Sequence, residues 1–165
     1  MRTCRAEAVI RHSSTVLGLA LCISGCAGEP VDAPPQVDLF PVSGVITRDG
    51  EPLASALVIY TPDIMGSAQG FGATGVTDAE GRYELEYRSG EEVKAGAPAG
   101  KYKVVISLIV DNDGNPLPAD PDTPPMMSGG IESIPPPYTS PPETPFAAEV
   151  TAGGENTFDF DVKSP

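Results

Sequence analysis

The chain has 165 residues, 23 acidic against 10 basic, for a net charge of −13, and its 18 glycines and 19 prolines make nearly twice the usual share. This length suits one domain, the prolines exclude a helical bundle, and the acidity excludes nucleic acid or an anionic membrane surface held by charge. At 40% apolar the chain still has enough material for a core.

The first 25 residues read as an export signal. Arg2, Arg5 and Arg11 precede a short apolar run ending near Gly25, too short to span a membrane and the right length for a secretory core. Ile23-Ser24-Gly25-Cys26 resembles the bacterial lipobox. That resemblance implies cleavage before Cys26 and lipidation of its sulfur, with Ala27 favouring the outer over the inner membrane. A plain signal peptide with an incidental cysteine is the alternative. Cleavage removes three arginines and one glutamate, leaving 140 residues with a charge of −15. It also removes Cys4, Cys22 and His12, so Cys26 becomes the sole cysteine and no histidine remains. Disulfides, histidine-paired nucleophiles and zinc or copper sites built on His and Cys then have no material. No metal, cofactor or catalytic residue is expected.

Residues 26–40, acidic and proline-rich, read as an extended tether and residues 41–165 as the folded domain. Strands are expected over 42–48, 53–60, 73–77, 82–88, 101–110, 146–151 and 157–163, from period-two patterning. Asp49-Gly50 signals a hairpin turn, and Asp78-Ala79-Glu80-Gly81 a type I turn with Gly81 left-handed. Within 82–88, Tyr83, Leu85 and Tyr87 should point inward and the charged residues outward. Residues 111–145 hold 11 prolines and read as a long irregular excursion. The expected fold is an all-β, seven-stranded antiparallel sandwich with a long Pro-rich loop.

Three segments are similar to carboxypeptidase-regulatory-like, or transthyretin-like, domains. They are Val45-Ile46-Thr47-Arg48-Asp49-Gly50-Glu51-Pro52-Leu53 with Ala54 to Val58, Thr77-Asp78-Ala79-Glu80-Gly81-Arg82-Tyr83, and Ala99-Gly100-Lys101-Tyr102-Lys103-Val104. Ile134-Pro135-Pro136-Pro137-Tyr138 and the closing Phe158-Asp159-Phe160-Asp161 resemble small bacterial lipoproteins carrying that sandwich. The resemblance implies a fold and an envelope location. It transfers no catalytic residue.

Other constellations have ordinary readings. Glu84 with Glu86, and Asp159 with Asp161, lie two apart on strands, a separation that suits carboxylate catalysis but also any solvated face. Asp111-Asn112-Asp113-Gly114-Asn115 has the residues of a calcium loop without its order, and reads better as a turn. Met126-Met127 lacks further soft ligands. Tyr87-Arg88-Ser89-Gly90 differs in order and place from the terminal tetrapeptide of hydroxyisourate hydrolases, which also need histidines. The excursion is the best recognition candidate, with residues 135–138 as a polyproline II ligand, or else as a cover over a sheet edge. The leading expectation is a lipid-anchored, non-enzymatic envelope protein with a structural or protein-interaction role. A cell-surface glycan-binding module is the alternative; it would use the aromatics Phe40, Phe71 and Tyr138, which look free.

Overall fold

Alternating burial along short strands dictates the architecture, seen in a computed structural model that describes residues 37–63, 72–90, 92–123 and 127–164. The strands are β1 (Leu39–Phe40), β2 (Ser43–Arg48), β3 (Glu51–Pro52), β4 (Leu57–Pro62), β5 (Ala73–Val76), β6 (Arg82–Glu84) and β7 (Glu86–Ser89). They continue as β8 (Glu92–Ala95), β9 (Ala97–Pro98), β10 (Gly100–Ser107), β11 (Ile109–Val110), β12 (Ile131–Glu132), β13 (Ala147–Val150) and β14 (Phe160–Val162). The fold is an all-β sandwich. A six-stranded sheet runs β13-β10-β4-β5-β7-β8, and a second sheet sets β14, β3 and β6 around β2. Among the described residues no helix is long and apolar enough to cross a membrane.

Among the described residues fourteen strands stand where seven were expected. The seven predicted segments are all present, two of them divided, and five further short strands join them. One division falls at Leu85, the other at Leu108. Residues 82–84 pair with β2 (Tyr83 opposite Gly44), whereas Glu86 and Tyr87 pair with β5 in the other sheet. At the crossing the Leu85 N–H turns to the Val42 carbonyl at 3.0 Å. Tyr83, Leu85 and Tyr87 keep facing the core through the switch, at 2%, 1% and 6% exposure. One strand therefore serves two sheets, and side-chain alternation alone cannot reveal that.

The expectation of purely antiparallel pairing is corrected at β14, which lies parallel to β2 with Phe160 opposite Ile46 and Val162 opposite Arg48. Carboxylates make this pairing possible. Asp159 accepts from the Val45 N–H at 2.8 Å, and Asp161 accepts from the Thr47 hydroxyl at 2.7 Å and the Gly50 N–H at 3.0 Å. Close approach also demands glycine at position 44, where a Cβ would lie 1.8 Å from the Phe158 carbonyl oxygen. The expected tether over 26–40 is shorter at its end, since Leu39 and Phe40 pair with Pro98 and Ala97. Cys26 and the signal segment lie outside the described residues.

The turns follow their residue chemistry. Asp49 and Gly50 take φ of 53° and 88°, joining β2 to β3 in a two-residue hairpin. Gly81 takes φ of 74° in the turn that Asp78 closes. Between the sheets lie Ile46, Val58, Tyr60, Val104, Ile106, Ile134 and Val162, each at 2% exposure or less. The core's polar atoms are matched to one another. Tyr83 gives its proton to the Phe158 carbonyl at 2.8 Å, so the Tyr60 hydroxyl donates to Tyr83 at 2.9 Å. Burial pushes the Tyr60 phenol far above its ordinary range and the Tyr83 phenol up to about 12. Thr77, also buried, donates to the Leu53 carbonyl and accepts from the Ala56 N–H.

Candidate functional site

On the six-stranded sheet, Val58, Tyr60, Val104 and Ile106 face the core, so their neighbours Leu57, Ile59, Thr61, Val105 and Ser107 face away from it. Those outward residues should be wet. Instead Leu57 and Val105 are each 5% exposed and Ser107 is 3% exposed. The excursion covers them.

It does so by leaving and rejoining the sheet. After β10, strand β11 pairs with β12 (Ile109 opposite Glu132), and the chain between them spreads over the outer face. Its return leg lies along β10: Ile106 N–H reaches the Tyr138 carbonyl, and Val104 N–H the Phe146 carbonyl, both at 3.0 Å. Thr144, buried, donates to the Val104 carbonyl at 2.7 Å. The return leg is thus a cover on a sheet edge. Residues 135–138 close a turn, with the Tyr138 N–H on the Pro135 carbonyl at 3.2 Å, so of the two readings offered for them the sheet-edge cover holds and the polyproline II ligand does not.

Glu132 pins this layer. One carboxylate oxygen accepts the Leu108 N–H at 3.0 Å and the Ile134 N–H at 2.9 Å, and the other accepts the Ser107 hydroxyl at 2.5 Å. The side chain therefore takes the Leu108 N–H that a strand partner would otherwise hold, which explains why the predicted 101–110 strand breaks there. Arg48 adds a second tie, its Nη2 donating to the Ser133 carbonyl and hydroxyl at 3.3 and 3.1 Å. Arg88 pairs with Glu86 and Asp122, both at 3.3 Å, at the far side of the sheet.

Between sheet and excursion two cavities remain, meeting at Ser107 and Ile109. One, of about 240 Å³, lies over Ser55 and Leu57 beneath Leu117, Asp120 and Thr123. The other, of about 390 Å³, lies over Ile59, Thr61 and Val105 beside Glu132, Thr139 and Pro141. Together they make a trough with an apolar floor, hydroxyl-bearing walls and a carboxylate in each half. Asp120 sits below its ordinary pKa because the Thr123 hydroxyl and the Asp122 N–H bind its charged form. A trough of this composition can hold an extended, partly apolar ligand with donor groups directed at the walls.

The sequence-derived candidates fall elsewhere. Glu84 and Glu86 are both exposed but belong to different sheets, which separates them as a pair. Asp159 and Asp161 are occupied in holding β14, and the Lys163 ammonium, first among its partners, lowers Asp161 to about 2. Asp111 closes a turn by accepting from the Asp113 and Asn115 N–H groups at 2.9 and 2.8 Å. Met127 is 73% exposed, and Met126 lies outside the described residues. Residues 87–90 form the end of the β7–β8 hairpin. Of the three aromatics expected to be free, Phe40 and Tyr138 pack against the core, Tyr138 stacking on Phe146 at 5.1 Å; Phe71 lies outside the described residues. Two of the three rings that glycan binding would use are thus engaged in packing. Glu132 escaped sequence reading because a lone glutamate in a polar loop carries no local signal.

No protein-family model and no curated protein sequence matches the chain. Among solved structures, a 9R-lipoxygenase from Cyanothece PCC8801 is 18% identical, with a TM-score of 0.32. The match covers 77% of this chain and 16% of that one, a likeness too distant to carry an argument.

Proposed function

We propose that this chain is a lipid-anchored, non-enzymatic β-sandwich of the bacterial cell envelope, acting as a protein-interaction module through the trough between its six-stranded sheet and the 111–145 excursion. The observation that carries this reading is the pinned excursion. A long proline-rich loop is held over an apolar sheet face by Glu132, Thr144 and Arg48, yet leaves a trough instead of packing flush. Anchorage through Cys26, with the outer membrane as destination, rests on the lipobox resemblance. The resemblance of three segments to carboxypeptidase-regulatory-like domains supports a module that accompanies chemistry without performing it.

Two variants test the halves of this reading separately. Cys26→Ala should move the protein from the membrane fraction to the soluble one; retention in the membrane would remove the lipid anchor. Thr61→Trp fills the larger cavity from the sheet side. Envelope partners captured by the unmodified chain should be lost by this variant, and capture of the same set would place recognition elsewhere on the domain.

A further inference from the structure

The two ends of the six-stranded sheet are β13 and β8. All four residues of β8, Glu92 to Ala95, are exposed, and Val93 is 45% exposed. Its backbone direction is fixed by Gly96, whose N–H points into the sheet at the Leu85 carbonyl, 2.7 Å away. Strand groups alternate sides, so the N–H and C=O of Val93 and Ala95 point outward along the open edge. Among the described residues nothing pairs with β8 on that side. An edge of this kind is a template for another strand.

The side chains say which strand fits. The charges of Glu92, Val93 and Lys94 become their own complement when the strand is turned end for end. A two-fold axis through Val93 places Glu92 opposite Lys94 of a second copy, Val93 opposite Val93, and Lys94 opposite Glu92. Both charges are exposed, and within one chain they already approach to 3.0 Å on the same side of the strand. The axis also makes Val93 a reciprocal hydrogen-bonded pair, because its outward N–H and C=O meet their counterparts. The opposite end of the sheet lacks this property. There the exposed charge is Glu149, and an axis through it sets carboxylate against carboxylate. Opposite charges facing each other across strands stabilise pairing, and like charges oppose it.

We propose that two copies of this chain associate edge to edge through antiparallel pairing of β8, centred on Val93, so that the two six-stranded sheets become continuous. The contact is small and the net charge of each copy opposes it, so the dimer is a weak one that forms where the protein is concentrated. It is independent of the trough, which lies on the face of the sheet.

Oxidative cross-linking of Val93→Cys in the full-length chain tests the register. Facing residues in a hydrogen-bonded pair have Cα atoms about 5.5 Å apart, within disulfide reach. The unmodified chain, with Cys4, Cys22 and Cys26, sets the background, and Glu149→Cys probes the other edge. Disulfide dimers are expected from V93C and only background from E149C. Background yield from V93C, or equal yields from both, would overturn the proposal. Charge swaps in V93C then test the partner rungs. E92K and K94E change the overall charge in opposite directions, yet each creates two like-charged rungs and should lower the dimer yield about fivefold. The double swap restores the pairing and the yield. If the single swaps move the yield in opposite directions, or not at all, the Glu92–Lys94 register is wrong and the proposal falls.

Discussion

Glu132→Ala should loosen the excursion from the sheet. The carboxylate accepts three hydrogen bonds, from Leu108 N–H, Ile134 N–H and the Ser107 hydroxyl, and these donors belong to residues at 6%, 2% and 3% exposure. Truncation leaves three poorly hydrated donors without a partner. At about 1 kcal/mol for each, with water partly filling the gap, the loss is about 3 kcal/mol. Glu132→Gln supplies a carbonyl oxygen for the two backbone donors, and its amide can donate to Ser107 once that hydroxyl reverses, so its loss is about 1 kcal/mol. Equilibrium urea unfolding, with unchanged denaturant slope, measures the difference, and hydrogen exchange at the Leu108 amide reports the local opening. A loss below about 1 kcal/mol for the alanine variant, or equal losses for both, would refute the assigned role.

Gly44→Ala should cost about 3 kcal/mol in thermal or chemical unfolding, because its Cβ would collide with the Phe158 backbone where β2 passes the approach to β14. Alkaline stability should be flat below pH 10 and fall steeply as pH rises through about 12, the region to which burial has raised the Tyr83 and Tyr102 phenols. Tyrosinate absorbance measured with unfolding checks this, and Tyr83→Phe should show a shallower alkaline slope whatever its stability at neutral pH. In acid the sign reverses. Asp161, lowered from 3.8 to about 2, contributes stability above its ordinary pKa that is lost as pH falls through about 2. The melting temperature of Asp161→Asn should therefore depend less on pH over that interval than that of the unmodified chain.

Local chemistry was readable wherever it decided the structure alone. Asp49-Gly50 demanded positive φ and obtained it, and the alternation of Tyr83, Leu85 and Tyr87 gave their burial correctly. Pairing partners were not readable. The charges between those tyrosines look alike in sequence, but the neighbours of Leu85, not its own identity, decide where the strand changes sheet. Proline content identified the 111–145 segment as irregular without showing its tie to β10, because the tie uses backbone carbonyls and one glutamate drawn from a field of acids. Phe146 and Phe160, at 4.9 Å, engage Tyr138 in a ring cluster that sequence separation hides. The trough follows from these long-range ties, and no short motif encodes it.

The parallel strand β14 sets an order in time. Val45 and Thr47 donate hydrogen bonds to carboxylates 114 residues further along the chain. Until that stretch has been synthesised, β2 carries an open edge beside a hydrophobic face. Contacts of such separation fold slowly and leave an unfinished chain prone to sticking. A chain whose first long strand waits for its last can close its second sheet only once the two ends of the domain are both present and free to meet.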